Sequence, residues 1–226
     1  MSSSAVPWRV LIASASLLVL CSCAGTARRS GGPSATRFPV ITDPRAEITA
    51  ARGALANDPN DVDAWFRLAL AWQADSASAG HADSAAAAFE SLLDVDPNNV
   101  EAVVHYGLAL EDLRRFDEAR LEYEKATELA PDDPLPFINL GSLLYFHSRE
   151  TYAAKEALMR ALEIDPKNAD AHFNLGVLFA DANMFGEAKV EWERVLELAP
   201  DGPARALAQE NLERIRPLVE ADRTGE

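Results

Sequence analysis

The chain has 226 residues, long enough for one sizeable domain or a short repeat array, and its 48% apolar and 25% charged content excludes a disordered tail. Its 36 acidic against 21 basic residues leave a formal net charge of −15, which repels phosphate backbones and anionic lipid surfaces and sets nucleic acid aside as a partner. Both cysteines, Cys21 and Cys23, lie near the N-terminus, so no disulfide framework supports the rest of the chain.

The first element is a leader. One positive charge, Arg9, precedes an apolar run from Val10 to Cys21. A dozen or so residues is the length of a signal peptide, whereas a spanning helix needs about 20. The run exits through Leu20-Cys21-Ser22-Cys23. These residues resemble the bacterial lipobox, with Leu at −3, a small residue at −1 and Cys at +1. Cys23 fits that register, whereas Cys21 would have the bulky Leu20 at −1. The resemblance implies cleavage after residue 22, acylation of Cys23 and attachment to a membrane by two or three chains, each buried CH₂ contributing about 0.8 kcal/mol. An ordinary cleaved signal and a retained short anchor are the other readings of the same run. Ala24 rather than Asp at +2 favours, within that resemblance, the outer membrane of a bacterial cell envelope and a periplasm-facing protein. Residues 23–44 are small, polar and broken by Gly and Pro, and read as a flexible tether.

Beyond the tether the chain repeats. Pro97, Pro131, Pro166 and Pro200 are spaced 34, 35 and 34 residues apart, and Pro59 lies 38 before Pro97. Upstream of each of the last four lies a helical face spaced i, i+3, i+4, i+7: Trp65, Leu68, Ala69, Trp72; Val103, Tyr106, Gly107, Leu110; Phe137, Leu140, Gly141, Leu144; His172, Leu175, Gly176, Phe179. A second face follows in each: Ala85, Phe89, Leu92; Ala119, Tyr123, Ala126; Ala154, Leu158, Ala161; Ala188, Trp192, Val195. The proline then ends the unit. Gly inside a helix costs about 1 kcal/mol relative to Ala, so its recurrence at position 8 asks for a packing reason. The expectation is that position 8 meets the small residue at position 20 (Ala85, Ala119, Ala154, Ala188) and lets two helix backbones approach. Unit one carries four extra residues near Asp75–Ser84, and unit three one extra near His147–Thr151, both expected between the helices of a hairpin.

These residues resemble the tetratricopeptide repeat (TPR), with its W-x₂-L-G-x₂-Y, A-x₃-F, A, P pattern on a period of 34. The resemblance implies an all-α fold, an α-α superhelix or solenoid of about four helical hairpins with no sheet. The units are about 62–97, 100–131, 134–166 and 169–200, within 61–200. Residues 45–60 read as a preceding half-repeat helix. Residues 201–221, with Pro203 at the helix start and Leu207, Ala208, Leu212 and Ile215 on one face, read as a capping helix.

In such a fold the first helices line a concave groove. Carried over residue by residue, its wall holds Phe66, Leu70, Val104, Leu108, Ile138, Asn139, Ser142, Tyr145, Phe173, Asn174 and Val177, with Asn139 and Asn174 as amides able to pin a peptide backbone. Asp63, Glu101, Glu111, Asp112, Asp170 and Asp181 give it an acidic rim. This composition suits an amphipathic or basic segment of another protein. Two other readings stand beside it: the first helices form a middle layer whose extra apolar residues fill the core, or the groove is covered by the chain's own tether or a second copy. Clamps for C-terminal carboxylates carry Lys or Arg at positions 2, 5 and 6; here only Arg67 qualifies, which makes a free C-terminus a poor ligand.

No nucleophile elbow, zinc-binding H-E-x-x-H, phosphate-binding or dinucleotide-binding loop occurs. His81, His105, His147 and His172 are scattered without a second ligand at metal spacing, and His172 reads as a packed ring where other units carry Trp, Val or Phe. No cofactor, metal or catalytic residue is therefore expected. The function these features imply is a non-enzymatic, lipid-anchored scaffold or adaptor that assists assembly of an envelope complex. The alternative is a structural, self-associating envelope protein and homo-oligomer whose groove or ends are occupied by its own copies.

Overall fold

The computed structural model describes residues 41–75 and 77–224; the expected leader, Cys23 and the tether up to residue 40 lie outside them. The described residues contain helices and no strand. In chain order the helices are α1 (Pro44–Asn57), α2 (Val62–Ala74), α3 (His81–Val95), α4 (Val100–Asp112), α5 (Phe116–Leu129) and α6 (Pro134–Leu143). There follow a π-helical turn (Leu144–Ser148), α7 (Thr151–Ile164), α8 (Ala169–Asp181), α9 (Phe185–Leu198) and α10 (Pro203–Thr224).

Local chemistry sets where the first helices begin. Asp61, Asn99 and Asn168 stand at the N-caps of α2, α4 and α8, and their side-chain oxygens accept from the backbone N–H of Ala64, Ala102 and Ala171 at 2.9, 3.1 and 3.0 Å. Asp43 does the same for α1 at 3.1 Å. Each such cap contributes about 1 kcal/mol. The hairpin turns close on left-handed residues, Arg114, Arg149 and Asn183, at φ near +60°. In the second and fourth hairpins the closing bond runs back five residues, from Arg115 N to Leu110 O and from Met184 N to Phe179 O. In the third it runs back six, from Glu150 N to Leu144 O at 2.9 Å. The extra residue of unit three is thus absorbed inside the last turn of its first helix, widening it to a π turn, and not in the connection beyond it.

The chain divides into two compact units, which part between Pro136 and Phe137. In the first, α2 packs on α3, α4 on α5, and α1 on α2. Its core joins Ile48, Ala51 and Leu55 of α1 to Phe66, Leu68, Phe89 and Leu92, with a smaller cluster of Val103, Val104 and Ala126. In the second, α8 packs on α9, and α7 and α10 pack on that pair. Leu158, Phe173, Leu175, Trp192, Val195 and Ile215 centre its core.

The recurrent glycine has a different partner from the one its spacing suggested. A Cβ on Gly107 would lie 2.5 Å from Tyr123 Cε1, and one on Gly141 2.8 Å from Leu158 Cγ. One on Gly176 would collide with the Trp192 indole. The glycine therefore makes room for the large residue at position 24, one turn beyond the small residue expected to meet it. Gly141 also approaches that small residue, at the Ala154 carbonyl, 3.1 Å away. The alanines at position 20 remain fully buried and allow the second helix to sit close.

Candidate functional site

Most of the groove residues named from sequence are buried. Phe66, Val104, Ile138, Asn139, Ser142, Tyr145, Phe173, Asn174 and Val177 are all at most 8% exposed, while Leu70 and Leu108 are half-buried. In the first unit Phe66 stands edge-on to Phe89 and to His105, with centroids 5.8 and 5.6 Å apart, and His105 stacks on Phe89 at 5.7 Å. Gln73 holds that imidazole, with Oε1 3.3 Å from Nδ1 and Nε2 donating to the His105 carbonyl at 3.4 Å. Burial pushes the His105 pKa down to about 4, so the ring is neutral at physiological pH.

In the second unit the structure brings three of the named residues into one chain of hydrogen bonds. Asn174 Nδ2 donates to Ser142 Oγ at 2.9 Å, and Ser142 Oγ donates to the Ile138 carbonyl at 2.8 Å. Trp192 Nε1 donates to the Phe173 carbonyl at 3.2 Å. Tyr145 meets Phe146 edge-on at 4.8 Å, and Asn139 Nδ2 is buried without a hydrogen-bond partner.

One open feature of the first unit is an acidic cavity of about 350 Å³ lined by Asp61, Val62, Asp63, Phe66, Asp96, Asn99 and Glu101. Its geometry follows from the caps. Asp61 and Asn99 open α2 and α4, Asp63 and Glu101 sit in the first turns of those helices, and Asp96 is tied to Asn99 Nδ2 at 3.1 Å. Asp63 and Glu101 were named from sequence as rim acids. Asp61, Asp96 and Asn99 were not, because a cap or turn residue has a structural reason to be polar. The Asp-Pro-Asn shared by the segments before α2 and α4 (58–60 and 96–98) is the signal that could have found them. Four carboxylates at its mouth suit the cationic head of a Lys or Arg side chain. Arg67, the one cation at a carboxylate-clamp position, is engaged by Glu47 at 3.2 Å.

His172 is more than a packed ring. Its Nε2 faces the Pro166 carbonyl at 3.2 Å, just as Trp65 Nε1 donates to the Pro59 carbonyl at 2.9 Å in the first hairpin. The histidine thus keeps the donor that a tryptophan supplies at position 4. Its Nδ1 lies 2.6 Å from Glu191 Oε2. Both partners are acceptors, which calls for the imidazolium. Burial pulls the His172 pKa down, but the hydrogen bonds to Glu191 and Pro166 outweigh it and leave the value raised. Glu111 is another displaced group: burial lifts its pKa to about 6 although Tyr123 OH donates to it at 2.6 Å. Among the described residues no group of three His, Cys, Asp or Glu could hold a metal ion, and no helix is long and apolar enough to cross a membrane.

Comparison with known proteins agrees with this architecture. A tetratricopeptide-repeat family model matches residues 73–134 and a second TPR-repeat model matches residues 152–183. Human protein O-mannosyl-transferase TMTC3 is 34% identical over 112 residues, 47% of this chain and 12% of that protein. The Arabidopsis thaliana CTR9 homolog is 31% identical over 105 residues, 46% of this chain and 10% of its own length. The chain therefore spans about a tenth of these relatives. Among solved structures, MamA from Desulfovibrio magneticus RS-1 superposes with a TM-score of 0.61 at 20% identity, covering 70% of this chain and 86% of that one. Pseudomonas aeruginosa PilF gives 0.61 at 20% identity over 77% and 84%. YrrB, described as a TPR protein with an unusual peptide-binding site, gives 0.55 at 22% over 68% and 76%. The chain carries tetratricopeptide repeats and has the helical-hairpin fold of these proteins.

Proposed function

We propose that this chain is a lipid-anchored protein-interaction scaffold, an adaptor for assembly of a cell-envelope complex, which takes a basic or amphipathic segment of a partner polypeptide. The observation that carries the reading is the cavity of Asp61, Asp63, Asp96 and Glu101 beside Phe66, set at the open ends of first helices in a repeat fold whose business is protein recognition. Leu70 and Leu108, half-buried on first helices of the same unit, are the apolar groove positions there that a docked segment could reach.

The anchor rests on the sequence of the leader, with Cys23 as the acylated residue, and puts the scaffold on the periplasmic face of a bacterial envelope. Deleting residues 1–22 and replacing Cys23 should then release the chain from membranes without altering its helical content. A chain that still sediments with membranes after both changes would remove the anchor from the account.

The partner reading is tested with a synthetic amphipathic peptide carrying Lys and Arg on its polar face, titrated by fluorescence anisotropy at two salt concentrations. Binding should weaken as salt rises, because the pairs at the cavity mouth are solvent-screened. An equally tight complex with the Glu- and Asp-bearing version of the same peptide would reject the assignment.

A further inference from the structure

The last hairpin leaves a second opening at the other end of the chain. Between α9 and α10 lies a cleft of about 390 Å³ whose lining includes Leu196, Leu212, Ile215 and Val219. Helix α10 has 22 residues, against 14 for α9, so it is eight residues longer than the hairpin partner it packs on. Pro217 inside it offers no N–H, so the Glu213 carbonyl lacks its i+4 helical donor. The cleft also carries Lys189, Arg205 and Arg216 against Glu193, Glu213 and Glu220, a balanced set on a chain whose net charge is −15. Two copies of so acidic a molecule meet with least repulsion at such a place.

We infer that this cleft is a homodimer contact in which α10 of a second copy lies antiparallel across it. Glu213 and Arg216 decide the occupant. They are one turn apart on α10, opposite in charge, and both line the cleft. The neighbouring ion pairs are Lys189–Glu193 and Arg214–Glu210, and neither Glu213 nor Arg216 takes part in those of the described residues. A two-fold axis between them places Glu213 of each copy against Arg216 of the other, so one arrangement makes two identical pairs. The Leu212 and Val219 row then lies under the crossing helix and loses its remaining contact with water.

The test uses full-length chains carrying two different tags, co-expressed and purified through one tag from detergent-solubilised membranes. The parent pair should co-purify. Arg216→Glu in both copies puts acids against acids and should cut the second tag in the eluate at least fivefold. The double change Glu213→Arg with Arg216→Glu reverses both members of each pair and should restore co-purification. Helical circular dichroism of each variant shows whether the hairpin is intact. Absence of the second tag with the parent chains, equal recovery with Arg216→Glu, or failure of the charge-swapped double variant to restore recovery while its helicity is unchanged would each overturn the dimer.

Discussion

The Trp192 indole fills the space that a Cβ on Gly176 would require, while its Nε1 donates to the carbonyl of Phe173 one turn earlier on the facing helix. The large residue of the second helix is thus seated by the missing side chain of the first. Gly176→Ala should gain about 1 kcal/mol from helix propensity and lose about 1–3 kcal/mol from overpacking, for a net loss measured by urea denaturation. Gly107→Ala, facing Tyr123, should behave likewise, whereas Gly53→Ala, with open space around it, should stabilise α1. A gain at all three positions would mean that the rings move aside without strain.

His172 makes stability depend on pH in a direction that can be fixed. Its folded pKa is raised above 6.5, so its contribution is fully present below that value and is lost as pH rises through the folded pKa. His172→Trp keeps a donor for the Pro166 carbonyl and removes the titration. The difference in urea midpoint between parent and variant should therefore shift towards the variant between pH 6 and pH 8. A constant difference over that range contradicts the imidazolium.

Glu111 acts in the same sense at lower pH. Its folded pKa of about 6 exceeds the ordinary 4.5, so the folded state gains from protonation, fully below 4.5, and loses that gain as pH rises through 6. Glu111→Gln keeps an acceptor for Tyr123 OH and should be more stable than the parent at pH 7 by on the order of 1–2 kcal/mol, with the two converging near pH 4.

Much of the fold was legible because its signals are local. Prolines 34 or 35 residues apart stop second helices, and Asp or Asn at the caps starts first ones. What the sequence left hidden depends on three-dimensional register. Position 20 and position 24 are neighbours on one helical face, so spacing alone could not say which of Ala188 and Trp192 meets Gly176. An extra residue in unit three looked like loop length, since a helix that swallows it as a π turn leaves no mark in composition. The groove set was the least legible. Asn174 reads equally well as a peptide-binding amide or as the donor to Ser142 Oγ, and the two differ only in what stands opposite it.

That burial decides which substitutions report on binding. Phe173→Glu would drive a carboxylate into the core of the second unit beside Trp192 and should unfold it, by 3 kcal/mol or more. Leu70→Glu and Leu108→Glu alter half-buried positions and should leave helical circular dichroism nearly unchanged.

At the N-terminus, growth with labelled palmitate separates the two cysteines. Label should be lost in Cys23→Ala and retained in Cys21→Ala. The absence of label in the parent chain removes the lipid anchor altogether.

The most direct measurement is the affinity of the basic amphipathic peptide for the parent chain and for Asp63→Lys/Glu101→Lys. The account gives binding to the parent, a loss of tenfold or more in the double variant, and unchanged helicity. Equal affinity in both chains, or no binding to the parent at low salt, contradicts it.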